Sequence, residues 1–138
     1  MSRSGYSDDM DDQWQFIRWR GAVKSAIKGK RGQAFLKEML DAMDALPEKV
    51  LISGELQDTT YSGQVCAIGA VGKARGLDME RVDFDEPENV GAFFGIPHTL
   101  AAEIEFWNDE GAWRETPAAR FERMRKWIAD QITPVISE

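Results

Sequence analysis

The chain has 138 residues, of which 43% are hydrophobic, 10% aromatic and 30% charged, with a formal net charge of -7. That balance is too apolar for disorder and fits one soluble domain with a usable core. No apolar run reaches the roughly 20 residues a membrane helix needs, and overall acidity argues against general affinity for nucleic acid.

The first dozen residues are polar and acidic, with Asp8, Asp9, Asp11 and Asp12, and read as a flexible lead (1–12) before a single domain over 13–136. They lack the apolar core of a signal peptide. Periodicity predicts a helix over 13–28, burying Phe16, Trp19, Ala22, Val23, Ala26 and Ile27. A basic turn, Gly29-Lys30-Arg31-Gly32, leads to a second helix over about 33–46, whose stripe is Phe35, Leu36, Met39, Leu40, Met43 and Leu46. Pro47 stops it.

The apolar stretches Val50–Ile52 and Gln64–Cys66 flank a run of turn formers and predict a small β-hairpin. Small residues from Ala67 to Arg75 predict a helix that lets backbones approach closely, with Gly76 as its C-cap. Further helices are expected from Pro87 to about Gly95, from Pro97 to about Trp107, and over 117–132 behind the Thr116 N-cap. The last buries Phe121, Met124, Trp127, Ile128 and Ile132. The expected fold is therefore α+β and mainly helical: an N-terminal helical pair, a small hairpin, and three to four further helices.

Charge is unevenly spread. Residues 13–37 carry seven basic side chains and no acidic one: Arg18, Arg20, Lys24, Lys28, Lys30, Arg31 and Lys37. Residues 78–113 carry ten acidic side chains against Arg81 alone. Such a dipolar surface favours oriented docking on a charged partner. The plainer reading is that the two segments neutralise each other within the molecule. Candidate contact residues are Asp83, Asp85, Glu86 and Glu88 on the acidic side, and Arg20, Lys24, Lys28, Lys30 and Arg31 on the basic side.

Catalytic and metal signatures are weak. Asp83, Asp85, Glu86 and Glu88 fail the calcium-loop pattern, because Glu88 stands where that turn needs Gly and Phe94 where it needs Glu. One His and one Cys cannot build a structural zinc site from soft ligands, and Gly69, Gly72 and Gly76 match no phosphate-binding spacing. Cys66 is alone, so no intrachain disulfide forms and a reducing cytoplasm is the expected setting. A Cys66, His98, Asn108 arrangement would suit a cysteine hydrolase. The preferred reading of Cys66, among Val65, Ala67 and Ile68, is a small buried hydrophobe. Trp107-Asn108-Asp109-Glu110-Gly111 reads as a helix end and turn. No cofactor is expected.

Three blocks carry a resemblance. They are Trp19-Arg20-Gly21-Ala22 with Gly29-Lys30-Arg31-Gly32-Gln33-Ala34-Phe35; Gly63-Gln64-Val65-Cys66-Ala67-Ile68-Gly69-Ala70; and Phe106-Trp107-Asn108-Asp109 followed by Thr116-Pro117 and Arg123-Met124-Arg125-Lys126-Trp127. Together these resemble a family of small uncharacterised proteins of phages and prophages, and the later two blocks resemble a broader bacterial domain of unknown function. The resemblance implies a compact cytoplasmic protein made during phage infection or from a prophage, and carries over no catalytic residue. Small phage accessory proteins often bind and block a host protein. The leading expectation is thus a non-enzymatic inhibitor of a host defence complex, such as a CRISPR effector. The alternative is a nucleic-acid-binding or regulatory protein using the basic island 18–37, with a cysteine hydrolase third.

Overall fold

A computed structural model describes residues 3–6, 13–58, 63–111 and 114–133. Six α-helices account for the regular structure of these residues: α1 (Gln13–Lys28), α2 (Lys30–Asp44), α3 (Ala67–Arg75), α4 (Pro87–Phe94), α5 (His98–Glu110) and α6 (Pro117–Gln131). One 3-10 turn, Met79–Arg81, lies between α3 and α4. None of these helices is long and apolar enough to cross a membrane.

The expected four-residue basic turn between the first two helices shrinks to Gly29 alone, and α2 starts at Lys30. Gly32 explains why. It lies inside α2 where that helix crosses α1, and a Cβ there would fall 1.8 Å from the Ala26 carbonyl oxygen. The absent side chain lets the helices touch, so the chain needs only one residue to turn. Of the expected stripe, Phe35, Leu36, Met39 and Met43 are buried in α2, Leu40 is half-buried, and Leu46 is buried just beyond the helix, which ends at Asp44. In α1 only Val23 and Ile27 are buried. Phe16 and Ala22, expected in the core, are exposed: Phe16 because the first turns of α1 lie outside the core, Ala22 because it falls beside the face that Val23 and Ile27 bury.

The expected β-hairpin is absent: no strand occurs among the described residues, and the fold is all-helical rather than α+β. A single antiparallel bridge, Gln57 with Val65, is all that remains of it. The physical reason lies in how residues 51–58 spend their hydrogen bonds. The Leu51 N–H donates to Pro117 O at the start of α6, and the Ile52 N–H to Val65 O. Gly54 then turns the chain in the left-handed region at φ 83°. Leu51 and Leu56 are therefore buried on an irregular segment whose bonds with 64–66, at Ile52, Leu56 and Asp58, are interrupted around Gly54 and make no continuous ladder.

Small residues in α3 do what their size suggests. A Cβ on Gly69 would lie 2.0 Å from the Leu56 carbonyl oxygen, and one on Gly72 2.3 Å from Met79 Sδ. Gly76 caps the helix at φ 70°. Helix α5 is the centre of the molecule, packing on α1, α3, α4 and α6. Thr99 through Glu105 and Asn108 are all buried. It runs past the expected end at Trp107 to Glu110, because Asn108 and Asp109 turn their side chains to distant partners instead of closing a local turn. The carbonyls of Trp107 and Asn108 at its C-terminal end accept from the Arg123 guanidinium, which Glu115 holds in place.

Candidate functional site

Two polar systems are built on α5, one at its C-terminal end and one along its α1 side. The first centres on Arg3, a residue of the expected flexible lead. Here the residue is buried, its side chain only 3% exposed. Its Nε and Nη2 donate to both carboxylate oxygens of Asp109, at 2.7 and 2.9 Å. Nη1 lies 3.8 Å from Cys66 Sγ, and Nε lies 3.4 Å from the Glu105 carboxylate. Asp109 also accepts from the Gly54 N–H and from Asn108 Nδ2. Asn108 Oδ1 accepts from the Ala67 N–H at the start of α3, and its Nδ2 donates to Ile52 O. Three distant segments are thus pinned to one turn of α5.

The charges follow from this geometry. Burial works against the Asp109 carboxylate, but Arg3 outweighs it and holds the group below its usual range. Burial also opposes the Arg3 cation, yet Cys66, Asp109 and Glu105 around it keep its pKa raised. Glu105 is the exception. It is fully buried and neither carboxylate oxygen has a hydrogen-bond partner among the described residues. Burial, with help from Asp109 and Asp85, pushes it up to about 8 despite Arg3, so it carries a proton at neutral pH.

The second system centres on Glu103. Its carboxylate accepts two hydrogen bonds from Arg20, at 2.7 and 3.0 Å, one from the Tyr6 hydroxyl at 2.9 Å and one from Trp107 Nε1 at 3.2 Å. Trp19 Nε1 in turn donates to the Tyr6 hydroxyl. Burial and the neighbouring Glu103 carboxylate raise the Tyr6 pKa, which keeps the phenol neutral. Beside this cluster a groove of about 430 Å³ opens between α1 and α6. Arg20, Val23, Lys24, Ile27 and Lys28 form its α1 wall, Glu103 and Trp107 its α5 wall, and Trp127 and Gln131 its α6 wall. The two indoles stack at 5.5 Å, 23° from parallel.

Of the residues singled out in the sequence, Arg20, Lys24 and Lys28 converge on this groove. Lys30 and Arg31 are exposed at the start of α2 and do not line it. Asp83, Asp85, Glu86 and Glu88 are exposed around the start of α4. There Asp83 Oδ1 accepts the Asp85 N–H and Glu88 sits in the first turn, where the helix dipole favours an anion. The idea that basic and acidic segments neutralise each other holds at Arg20 with Glu103. Lys24, Lys28, Lys30 and Arg31, like the four exposed carboxylates, have no ion pair among the described residues.

Cys66, His98 and Asn108 do not form a catalytic group. Cys66 is fully buried as the N-cap of α3, where its sulfur accepts the Gly69 N–H. Burial pushes its thiol above the usual range, against the pull of Arg3. His98 packs on Trp19 at the first residue of α5, ten residues from Asn108 and so about 15 Å along the helix axis. Among the described residues no cluster of His, Cys, Asp or Glu is placed to hold a metal ion.

Sequence reading missed Arg3, Glu103, Glu105 and Asp109 as a buried set. One signal was available: Glu103 and Glu105 stand in Ala101–Phe106, a stretch otherwise apolar, where a solvated helix would bury neither. Comparison with family models, with characterised proteins and with solved structures finds no match to this chain.

Proposed function

We propose that this is a non-catalytic protein-binding protein that docks on its partner through charge. The observation that carries the reading is the survival of charge separation after folding. Asp83, Asp85, Glu86 and Glu88 stand exposed on the turn leading into α4 and its first turn, Lys24 and Lys28 on α1, without ion pairs among the described residues. Exposed charges of opposite sign on separate elements steer encounter and fix orientation more than they add affinity. In the phage context that the sequence resemblance implies, the partner would be a component of a host defence complex. The acidic segment would then occupy a basic groove that normally takes phosphates.

The test compares partner capture by the native protein with capture by a variant reversing Asp83, Asp85, Glu86 and Glu88 to Lys. Loss of a specific protein partner at unchanged helix content is expected. Capture that survives the reversal, together with tight, salt-sensitive binding to DNA or RNA in a titration, would favour the nucleic-acid reading instead.

A further inference from the structure

We infer that the groove between α1 and α6 is a docking site for an acidic peptide segment of a protein partner, one apolar side chain of which enters between the helices. This rests on the protein-binding reading and assigns it a second surface, distinct from the acidic residues at α4.

The groove has two parts of different chemistry. Its base is apolar: Val23 and Ile27 are buried, and the stacked indoles of Trp107 and Trp127 are half-buried beside them. Its α1 edge is cationic. Arg20, Lys24 and Lys28 recur every fourth residue, so they form a row with about 6 Å between successive charges. Glu103 neutralises Arg20, which leaves Lys24 and Lys28 as two charges without a carboxylate among the described residues. Carboxylates two apart on an extended peptide, or four apart on a helical one, are spaced by roughly 6–7 Å. A segment with such a pair matches the row, and the volume of about 430 Å³ accepts a large side chain placed between them.

Charge complementarity also selects the class of occupant. A nucleic acid gains affinity by releasing counterions in proportion to the phosphates it has neutralised. Two cations without a carboxylate among the described residues offer little of that, while Glu103 in the wall and the net charge of -7 repel a polyanion. A peptide brings only the charges the row can meet and adds an apolar group that the indoles can cover.

The experiment uses the full chain, labelled with nitrogen-15, and a capped peptide of sequence Ser-Ser-Glu-Phe-Glu-Ser-Ser, whose two carboxylates are the pair the row can meet. Saturable movement of the Trp107 and Trp127 indole N–H signals and of the Lys24 and Lys28 amides is expected. Lys24→Glu with Lys28→Glu, both at exposed positions, should weaken binding at least about tenfold with unchanged circular dichroism, as should replacing the peptide Phe by Ser. The proposal is overturned if the indole signals stay still up to millimolar peptide, or if the double variant or the Ser peptide binds equally well. It is also overturned if a ten-residue oligothymidine moves the same signals at lower concentration. Absence of these shifts while partner capture still depends on Asp83, Asp85, Glu86 and Glu88 would sink the groove alone. Intact peptide binding with no partner lost on that reversal would sink the broader reading alone.

Discussion

The Arg3 guanidinium grips the Asp109 carboxylate with two parallel hydrogen bonds across 106 residues of chain. Both side chains are largely out of water, at 3% and 11% exposure. Removing one partner strands the other charge in the interior, where the penalty is larger than the net worth of the pair. Arg3→Ala and Asp109→Ala should each lower stability by about 3–5 kcal/mol. Because the two changes delete one shared interaction, the double variant should cost much less than the sum. Urea unfolding of the four proteins tests this, and additive losses would show that the pair acts through its other contacts.

Glu105 makes stability depend on pH in a sense opposite to that of its neighbours. Its folded pKa of about 8 lies above the ordinary 4.5. The stabilisation from its proton is therefore complete below pH 4.5 and lost as pH rises through 8. Between these limits the unfolded chain is ionised and the folded one is not, so this group lowers stability by about 1.4 kcal/mol per pH unit. Asp109, Glu38, Asp44 and Glu115 are all depressed. Their contribution is present above the ordinary values, 3.8 for the aspartates and 4.5 for the glutamates, and is lost as pH falls below them. Urea midpoints should fall between pH 5.5 and 7.5 in the native protein, and fall less in Glu105→Gln. Equal slopes in the two proteins would mean that Glu105 is ionised in the fold.

Asn108 satisfies two buried backbone groups from one side chain, the Ala67 N–H and the Ile52 carbonyl. Each stranded group costs about 1–3 kcal/mol. Asn108→Ala should therefore destabilise by about 2–4 kcal/mol, and thermal melts would register this as a clear drop in midpoint. Hydrogen exchange should also quicken at Ala67, whose N–H loses its acceptor.

The helices were legible because their causes are local. The stripe of α2, the Thr116 cap and the glycines at 76 and 95 announce themselves within a few residues. What local pattern could not reveal was partner choice. Leu51 resembles a strand residue, yet its N–H goes to Pro117, 66 positions later. Asn108 and Asp109 have turn-forming chemistry, and only the approach of Arg3, Gly54 and Ala67 keeps them helical. The row Arg20, Lys24, Lys28 could be read from its spacing. Its pairing with Trp107 and Trp127 depends on how α5 and α6 are set beside α1.

Two glycines in helices give a paired test of close approach. Gly21 has nothing within 4 Å of where a Cβ would stand, whereas at Gly69 that atom would meet backbone. Gly21→Ala should stabilise by about 0.5–1 kcal/mol through helix propensity. Gly69→Ala should destabilise by about 3 kcal/mol, because the obstruction is a carbonyl that cannot rotate away. A similar response at both positions would mean that α3 and residue 56 are not in contact.

Cys66 provides a check on access. Its sulfur is enclosed and its thiol is held protonated, so a thiol reagent should react only as fast as the protein opens. Labelling should accelerate in Arg3→Ala, which lacks the guanidinium lying over the sulfur.

The span between Arg3 and Asp109 also orders events in time. A chain emerging from the ribosome presents α1 and α2 early, and neighbours so close in sequence can pair while the rest is still being made. Arg3 and Tyr6 precede both of these helices, yet their partners Glu103, Glu105 and Asp109 arrive more than ninety residues later. These two residues are thus made before α5 and fastened only after it. Until α5 is complete, the nascent chain carries the Arg3 cation without Glu105 and Asp109.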